Sequence, residues 1–117
     1  MTGVTEIRRA LAGALAVLDL TVQVAPAQVD YKPRELHQAF VVRVLTGPIG
    51  DSRAEDLLDE LIEPEGDRSV KQLLEADATL AGLVAHATVA RCTGWQTFPQ
   101  HDASVAIGAT WTVTTLT

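Results

Sequence analysis

Apolar residues recur at helical spacing from Val4 onward. Val4, Ile7, Leu11, Ala14, Leu15 and Leu18 fall on one side at about 3.6 residues per turn, with Glu6 and Arg9 opposite. This predicts an amphipathic helix that Thr2 or Thr5 can cap. The period then shortens. LTVQVA (20–25) predicts a short strand ended by Pro26, and the stretch from Pro26 to Pro33 reads as a loop. LHQAFVVRVLT (36–46) is rich in β-branched residues, with Phe40, Val42 and Val44 on one face and Val41 and Leu45 flanking Arg43 on the other. TGPIGD breaks that strand.

The helical period returns at Ser52. Ala54, Leu57, Leu58, Leu61 and Ile62 form an apolar stripe at about 100° per residue, with Glu55, Asp56, Asp59, Glu60 and Glu63 on the opposite side. Ser52-Arg53-Ala54-Glu55 has the spacing of a capping box, and Pro64 and Gly66 stop the helix. Ser69 with Gln72 predicts a second capping box ahead of Val70, Leu73 and Leu74. Asp77 caps a further turn anchored by Leu80, and Gly82 permits the exit.

Two strands close the chain. One covers about residues 84–95, placing Val89, Arg91 and Trp95 on a shared face. The other runs over 104–116, with Val105, Ile107, Ala109, Trp111 and Val113 on one face and Thr110, Thr112 and Thr114 on the other. TFPQHD between them is turn material, so the pair reads as a hairpin. The order α-β-β-α-α-β-β predicts one α+β domain over residues 1–117. It would hold an antiparallel sheet of about four strands with helices on one face.

At 117 residues such a domain buries about two-thirds of its unfolded surface, enough for a core without cross-links. The single cysteine, Cys92, excludes an internal disulfide, fits a reducing compartment and reads as a small apolar strand residue. The apolar run Ala10–Leu18 after Arg8 and Arg9 has the outline of a signal peptide. Asp19 follows without a small-residue cleavage pattern, and the segment keeps helical periodicity, which makes it a mature helix. No run is long enough for a membrane span.

Charge is unevenly placed. Residues 51–77 hold ten of the fifteen acids and three of the nine Lys and Arg residues, for a local charge of −7 in a chain of net charge −6. That balance argues against a duplex-gripping surface, which needs clustered bases. It makes Glu55, Asp56, Asp59, Glu60 and Glu63 a candidate partner interface. A hard cation would require these acids to converge in a concavity, whereas here they line the outside of an ordinary amphipathic helix.

Catalytic equipment is sparse. His37 at the start of one strand, His86 at the start of another and His101 in a turn lack metal-ligand spacing, and only Cys92 offers sulfur. The chain has no GxSxG elbow, no GxGxxG and no GxxxxGK[ST]. Trp95 and Trp111 read as anchors of the sheet core. No catalytic, cofactor-binding or metal-ligating residue is expected, and no cofactor.

The stretch SRAEDLLDELIEPEGDRSVKQLLEADATLAGLVAHATV (52–90) and the closing ASVAIGATWTVTTLT resemble the tail terminator, or tail completion, proteins of long-tailed actinobacteriophages. EIRRALAGALAVL is similar to their opening "xIRxxLAxxLA" helix. Leu58, Asp59, Leu61, Pro64, Gly66, Ser69, Val70, Lys71, Asp77, Leu80 and Gly82 match a segment like "LDxxLxPxGxxSVKxxLExDxTLxGxV". One departure is Ile107-Gly108, where the family often carries an aromatic before the glycine. The resemblance covers nearly the whole chain and implies a non-enzymatic structural protein of the virion neck, assembled in the host cytoplasm. Such a protein forms a homo-oligomeric ring, usually hexameric, on the tail tube protein. The ring stops tube polymerisation and meets the head–tail connector or stopper, with DNA only as cargo through the lumen and no membrane. A head–tail stopper or adaptor of the same neck is a neighbouring expectation. A small-ligand- or peptide-binding α+β domain with a groove between helix and sheet is the rival of a different class.

Overall fold

The computed structural model describes residues 3–31, 36–77 and 79–116. Helix α1 (Val4–Ala14) leads through one 3-10 turn to strands β1 (Thr21–Tyr31) and β2 (Leu36–Pro48). Helices α2 (Ser52–Ile62) and α3 (Val70–Glu75) follow, then strands β3 (His86–Pro99) and β4 (Val105–Leu116). The strands form one antiparallel sheet in the order β1-β2-β4-β3. Helix α1 lies against β1, α2 against β2 and β4, and α3 against β3. The fold is α+β in the predicted order, with the helices over one face. No helix among the described residues is long and apolar enough to cross a membrane.

Strand alternation decides which side chains meet the helices. Phe40, Val42 and Val44 from β2 and Ile107, Ala109, Trp111 and Val113 from β4 are all buried on the inner face. Trp111 lies opposite Val42 and Ala109 opposite Val44, so bulky and small residues alternate across the central pair. Ile7, Leu11 and Leu15 descend on this face from α1, Leu58 and Leu61 from α2, and Val70 and Leu74 from α3. Each such side chain contributes about 1.5–3 kcal/mol of burial. At Gly108 the two central strands come so close that a Cβ would stand 2.3 Å from the Val44 carbonyl oxygen. Glycine is needed there for approach.

Both sheet edges differ from the sequence expectation. Strand β1 does not end at Pro26 but passes through a bulge between Pro26 and Gln28 and pairs with β2 as far as Tyr31. Strand β3 runs on to Pro99, so much of TFPQHD is strand and only the segment from Gln100 to Ser104 turns. Proline donates no ladder hydrogen bond; Pro26 and Pro99 lie in the outer strands of the sheet, and Pro48 is the last residue of central strand β2, just past its bulge between Leu45 and Gly47. Strand β3 also carries two bulges, between Val89 and Arg91 and between Thr93 and Gln96. The first shifts the alternation by one residue. Arg91 therefore pairs with Thr112 on the outer face, not with Val89 on the inner one, and Cys92 turns inward opposite Trp111. The second bulge holds Trp95 at φ 47° and half exposed, so only Trp111 is a core anchor.

The helix caps are also partly re-assigned. Gly3, without a side-chain bond, precedes α1, so Thr5 lies inside the helix; Thr2 lies outside the described residues. Asp51 rather than Ser52 caps α2, its Oδ1 accepting from the Arg53 amide at 2.9 Å. Ser69 does cap α3, its Oγ accepting from the Gln72 amide at 3.1 Å. The reciprocal half of the box is displaced, because Gln72 Oε1 accepts from the Gly66 amide at 3.0 Å instead of from Ser69. After α3, Asp77 accepts from the amides of Thr79 and Ala81 and from the Thr79 hydroxyl. These bonds hold a left-handed turn through Leu80, Ala81 and Gly82, with Leu80 buried.

The Ser69 hydroxyl also donates to the Glu63 carbonyl at 2.6 Å, with the residue fully buried. Ser69→Ala leaves two backbone groups without their partner. It should lower stability by about 1–2 kcal/mol, read as a shift of the chemical-denaturation midpoint at constant slope.

Glu75 closes α3 onto the sheet. It pairs with Lys71, and its Oε2 accepts from the Val89 amide at 3.0 Å beside the first bulge of β3. The Lys71 ammonium holds the Glu75 carboxyl below its ordinary value of 4.5, helped by the Val89 amide and opposed by partial burial. A carboxyl depressed in the folded state contributes stability above its unfolded value and loses it as pH falls through the folded one. Denaturation midpoints should therefore decline below pH 4.5, and Glu75→Gln should flatten that part of the profile while lowering the neutral-pH midpoint. Parallel profiles for the two proteins would contradict this.

Candidate functional site

The acidic row predicted from periodicity is present on α2. Ala54, Leu58 and Leu61 are buried beneath the helix, while Asp56, Asp59, Glu60 and Glu63 face solvent and Glu55 is half-buried at the margin. The Thr46 hydroxyl donates to the Ala54 carbonyl at 2.9 Å and fixes the start of the helix to the end of β2. Gly94 lets β3 pass close on the other side, since a Cβ there would lie 3.0 Å from Ile62 Cδ1.

Two of the five acids have partners that the sequence did not suggest. The Trp95 indole N–H donates to Asp59 Oδ1 at 3.0 Å. Arg68, from the segment after the helix, pairs with Glu60 at 3.1 Å, with both side chains more than half exposed. Among the described residues, Glu55, Asp56 and Glu63 have no Lys or Arg nitrogen within 4.0 Å. The acidic surface continues past the helix, where Glu60, Glu63, Glu65, Asp67 and Arg68 line a groove of about 470 Å³. Trp95 belongs to this surface through its bond to Asp59. Only its bulge brings it there, and the one local sequence signal for that bulge is the isolated Gly94 inside the strand.

Other candidate chemistry stays dispersed. His86 opens β3 and His101 lies in the final turn, both exposed; the His37 side chain lies outside the described residues. No group of three His, Cys, Asp or Glu side chains among the described residues could hold a metal ion. Burial pushes the Cys92 thiol up, which keeps it protonated and weakly nucleophilic near neutrality. Asp77 and Asp102 are held below the ordinary carboxylate range, the first chiefly by the Ala81 amide and the second by the Ser104 hydroxyl. Both act as turn braces.

Further concavities accompany the acidic groove. One of about 350 Å³, mostly apolar, lies between α1 and α3 and is lined by Ala10, Ala14, Leu73, Leu74, Leu80 and Leu83. Another, about 400 Å³, opens on the outer face of the sheet around Gln23, Arg43, Leu45, Phe98, Gln100 and His101. Compared with models of known protein families and with curated proteins, the sequence matches none.

The two tryptophans make the packing at this surface measurable. Trp95 is 50% exposed and Trp111 only 1%. Trp95→Phe should remove the red-shifted, acrylamide-accessible part of the emission and leave a blue-shifted, protected residue. Equal quenching of wild type and variant would place Trp95 elsewhere.

Proposed function

We propose that this chain is a structural subunit of a phage tail, a terminator that forms a ring at the head-proximal end of the tail tube. The ring stops tube polymerisation and offers its other side to the head connector. The observation that carries the reading is the solvent-facing acidic row on α2, with Asp56 and Glu63 left without a cationic partner among the described residues. Like charges four residues apart, such as Asp56 with Glu60 and Asp59 with Glu63, cost a few tenths of a kcal/mol per pair, roughly. A basic partner surface offsets that cost.

The residues shared with tail terminator sequences support the same reading through what they build. Leu58, Leu61 and Val70 seat the helical layer on the sheet, and Ser69 joins α2 to α3. Asp77, Leu80 and Gly82 form the turn that returns the chain to β3. The matching motif thus specifies a rigid layer presenting a charged surface, the equipment of a docking subunit. Repeated in closed symmetry, one modest contact becomes a stable ring.

A phage lacking this protein should yield filled heads without tails beside free tails of irregular, often excessive length, seen by negative-stain microscopy. Normal-length tails joined to heads would overturn the terminator reading. Uniform, normal-length free tails would assign the protein to the head side of the joint, as a stopper or adaptor. The apolar groove between α1 and α3 favours a second reading, a ligand- or peptide-binding domain, for which both heads and tails should assemble normally.

A further inference from the structure

The acids of α2 and the two arginines of strands β2 and β3 lie on opposite sides of this molecule. Helix α2 presses its apolar stripe on the inner face of the sheet, so Asp56, Glu60 and Glu63 point away from the sheet, while Asp59 reaches sideways to Trp95 of β3. The outer face is covered by no described helix. Strands β2, β3 and β4 contain no aspartate or glutamate, and their only Lys or Arg residues are Arg43 and Arg91. Both stand on the outer face, Arg43 opposite Thr110 and Arg91 opposite Thr112.

We infer that copies of this chain associate head to tail, the acidic face of α2 in one copy docking on the outer sheet face of the next. Arg43 is held ready for a carboxylate. Its guanidinium lies 4.5 Å from the centre of the Phe98 ring, and its hydrogen bond to Gln23 Oε1 is a long 3.4 Å contact. Its Nε is buried with no acceptor among the described residues. The concavity around it, about 400 Å³, admits a side chain from outside. Half-buried Val41, Leu45 and Phe98 supply apolar contact beside the charge.

The spacings agree. Arg43 and Arg91 flank β4 two residues out of step, which puts their Cα atoms about 12 Å apart at ordinary sheet dimensions. Asp56 and Glu63, the exposed acids of the α2 row without a described partner, lie on the same side of the helix, about 10 Å apart at 1.5 Å per residue. Because the two surfaces lie on opposite sides of the subunit, a twofold dimer cannot join them. The contact is heterologous, the kind that closes into a ring or extends. The inference rests on the ring reading only in requiring that copies meet, and its test needs no phage.

Sedimentation velocity of the purified chain at low and high salt reads the pairing. Wild type should form oligomers that weaken with salt. Asp56→Lys with Glu63→Lys disables one surface, and Arg43→Glu with Arg91→Glu the other. Each double variant alone should be monomeric, with association weakened about tenfold or more. Mixed, they join through one native junction and one with its charges exchanged, and should form alternating oligomers again. The quadruple variant, with its charges exchanged, should associate again. Circular dichroism checks folding, and Arg91→Glu alone replaces the sheet variant if loss of the Phe98 contact unfolds it. Oligomers of wild-type size in either double variant, or a mixture that stays monomeric, would overturn the inference and leave the ring reading to the tail-length assay. So would a monomeric wild type; salt-sensitive binding of a DNA oligonucleotide by that monomer would assign the arginines to nucleic acid instead.

Discussion

The Ser69 hydroxyl joins two helices at a point that solvent does not reach. It donates to the Glu63 carbonyl at the end of α2 and accepts from the Gln72 amide at the start of α3. The placement of the later elements depends on that joint. With α3 fixed, Glu75 reaches the Val89 amide and braces β3 at its first bulge. With β3 braced, its second bulge carries Trp95 across to Asp59 on α2. The acidic row is thus framed by a loop of contacts running from α2 through α3 and β3 and back to α2. A break at Ser69 would loosen the position of the charges as well as the packing beneath them.

The sheet has a different logic on its two sides. Three helices can cover one face of four long strands, and the apolar alternation of β2 and β4 commits that face to them. The other face carries threonine, glutamine and two arginines among a few half-buried apolar side chains such as Val41, Leu45 and Phe98, a composition that water tolerates. Among the described residues, carboxylates are confined to helices, turns, loops and the edge strand β1. This segregation follows from topology: acids favour the exposed face and ends of a helix, and the strands that hold none are the two central ones and β3. A molecule only about 20 Å through its shortest axis therefore separates its charge across a thin body.

What the sequence revealed, and what it hid, divides along the same line. Periodicity within one element was legible. The stripe of α2, the row Asp56, Asp59, Glu60 and Glu63, and the inner alternation of β2 and β4 all stand where spacing placed them. Features that depend on neighbours were not. Pro26 and Pro99 read as strand breakers because nothing local tells an outer strand from an inner one. The bulge after Val89 reversed the facing of Arg91, and with it the partition of the arginines. Asp51 and Ser52 are both good caps one residue apart, and the choice between them rests on backbone geometry: Asp51 is extended while Ser52 is already helical. Gln72 accepts from Gly66 because the tight segment between α2 and α3 already occupies the Ser69 amide, which donates to the Gly66 carbonyl at 3.1 Å.

Charge alone would be a poor basis for assembly, because exposed ion pairs contribute roughly 0–1 kcal/mol each and salt screens them. The arrangement here adds what bare charge lacks. Arg43 lies over Phe98 with its Nε already out of water, so part of its desolvation is borne by the folded subunit before any partner arrives. Asp59 and Glu60 are occupied by Trp95 and Arg68, which leaves Asp56 and Glu63 one above the other for an incoming surface. Two sites at matched spacing select a register that a diffuse charge could not. A single such contact is still weak, and the net charge of −6 keeps free subunits apart. On the proposed pairing, dissociation from a closed ring requires two contacts to break at once, so closure converts a marginal interaction into a durable one without strengthening either surface.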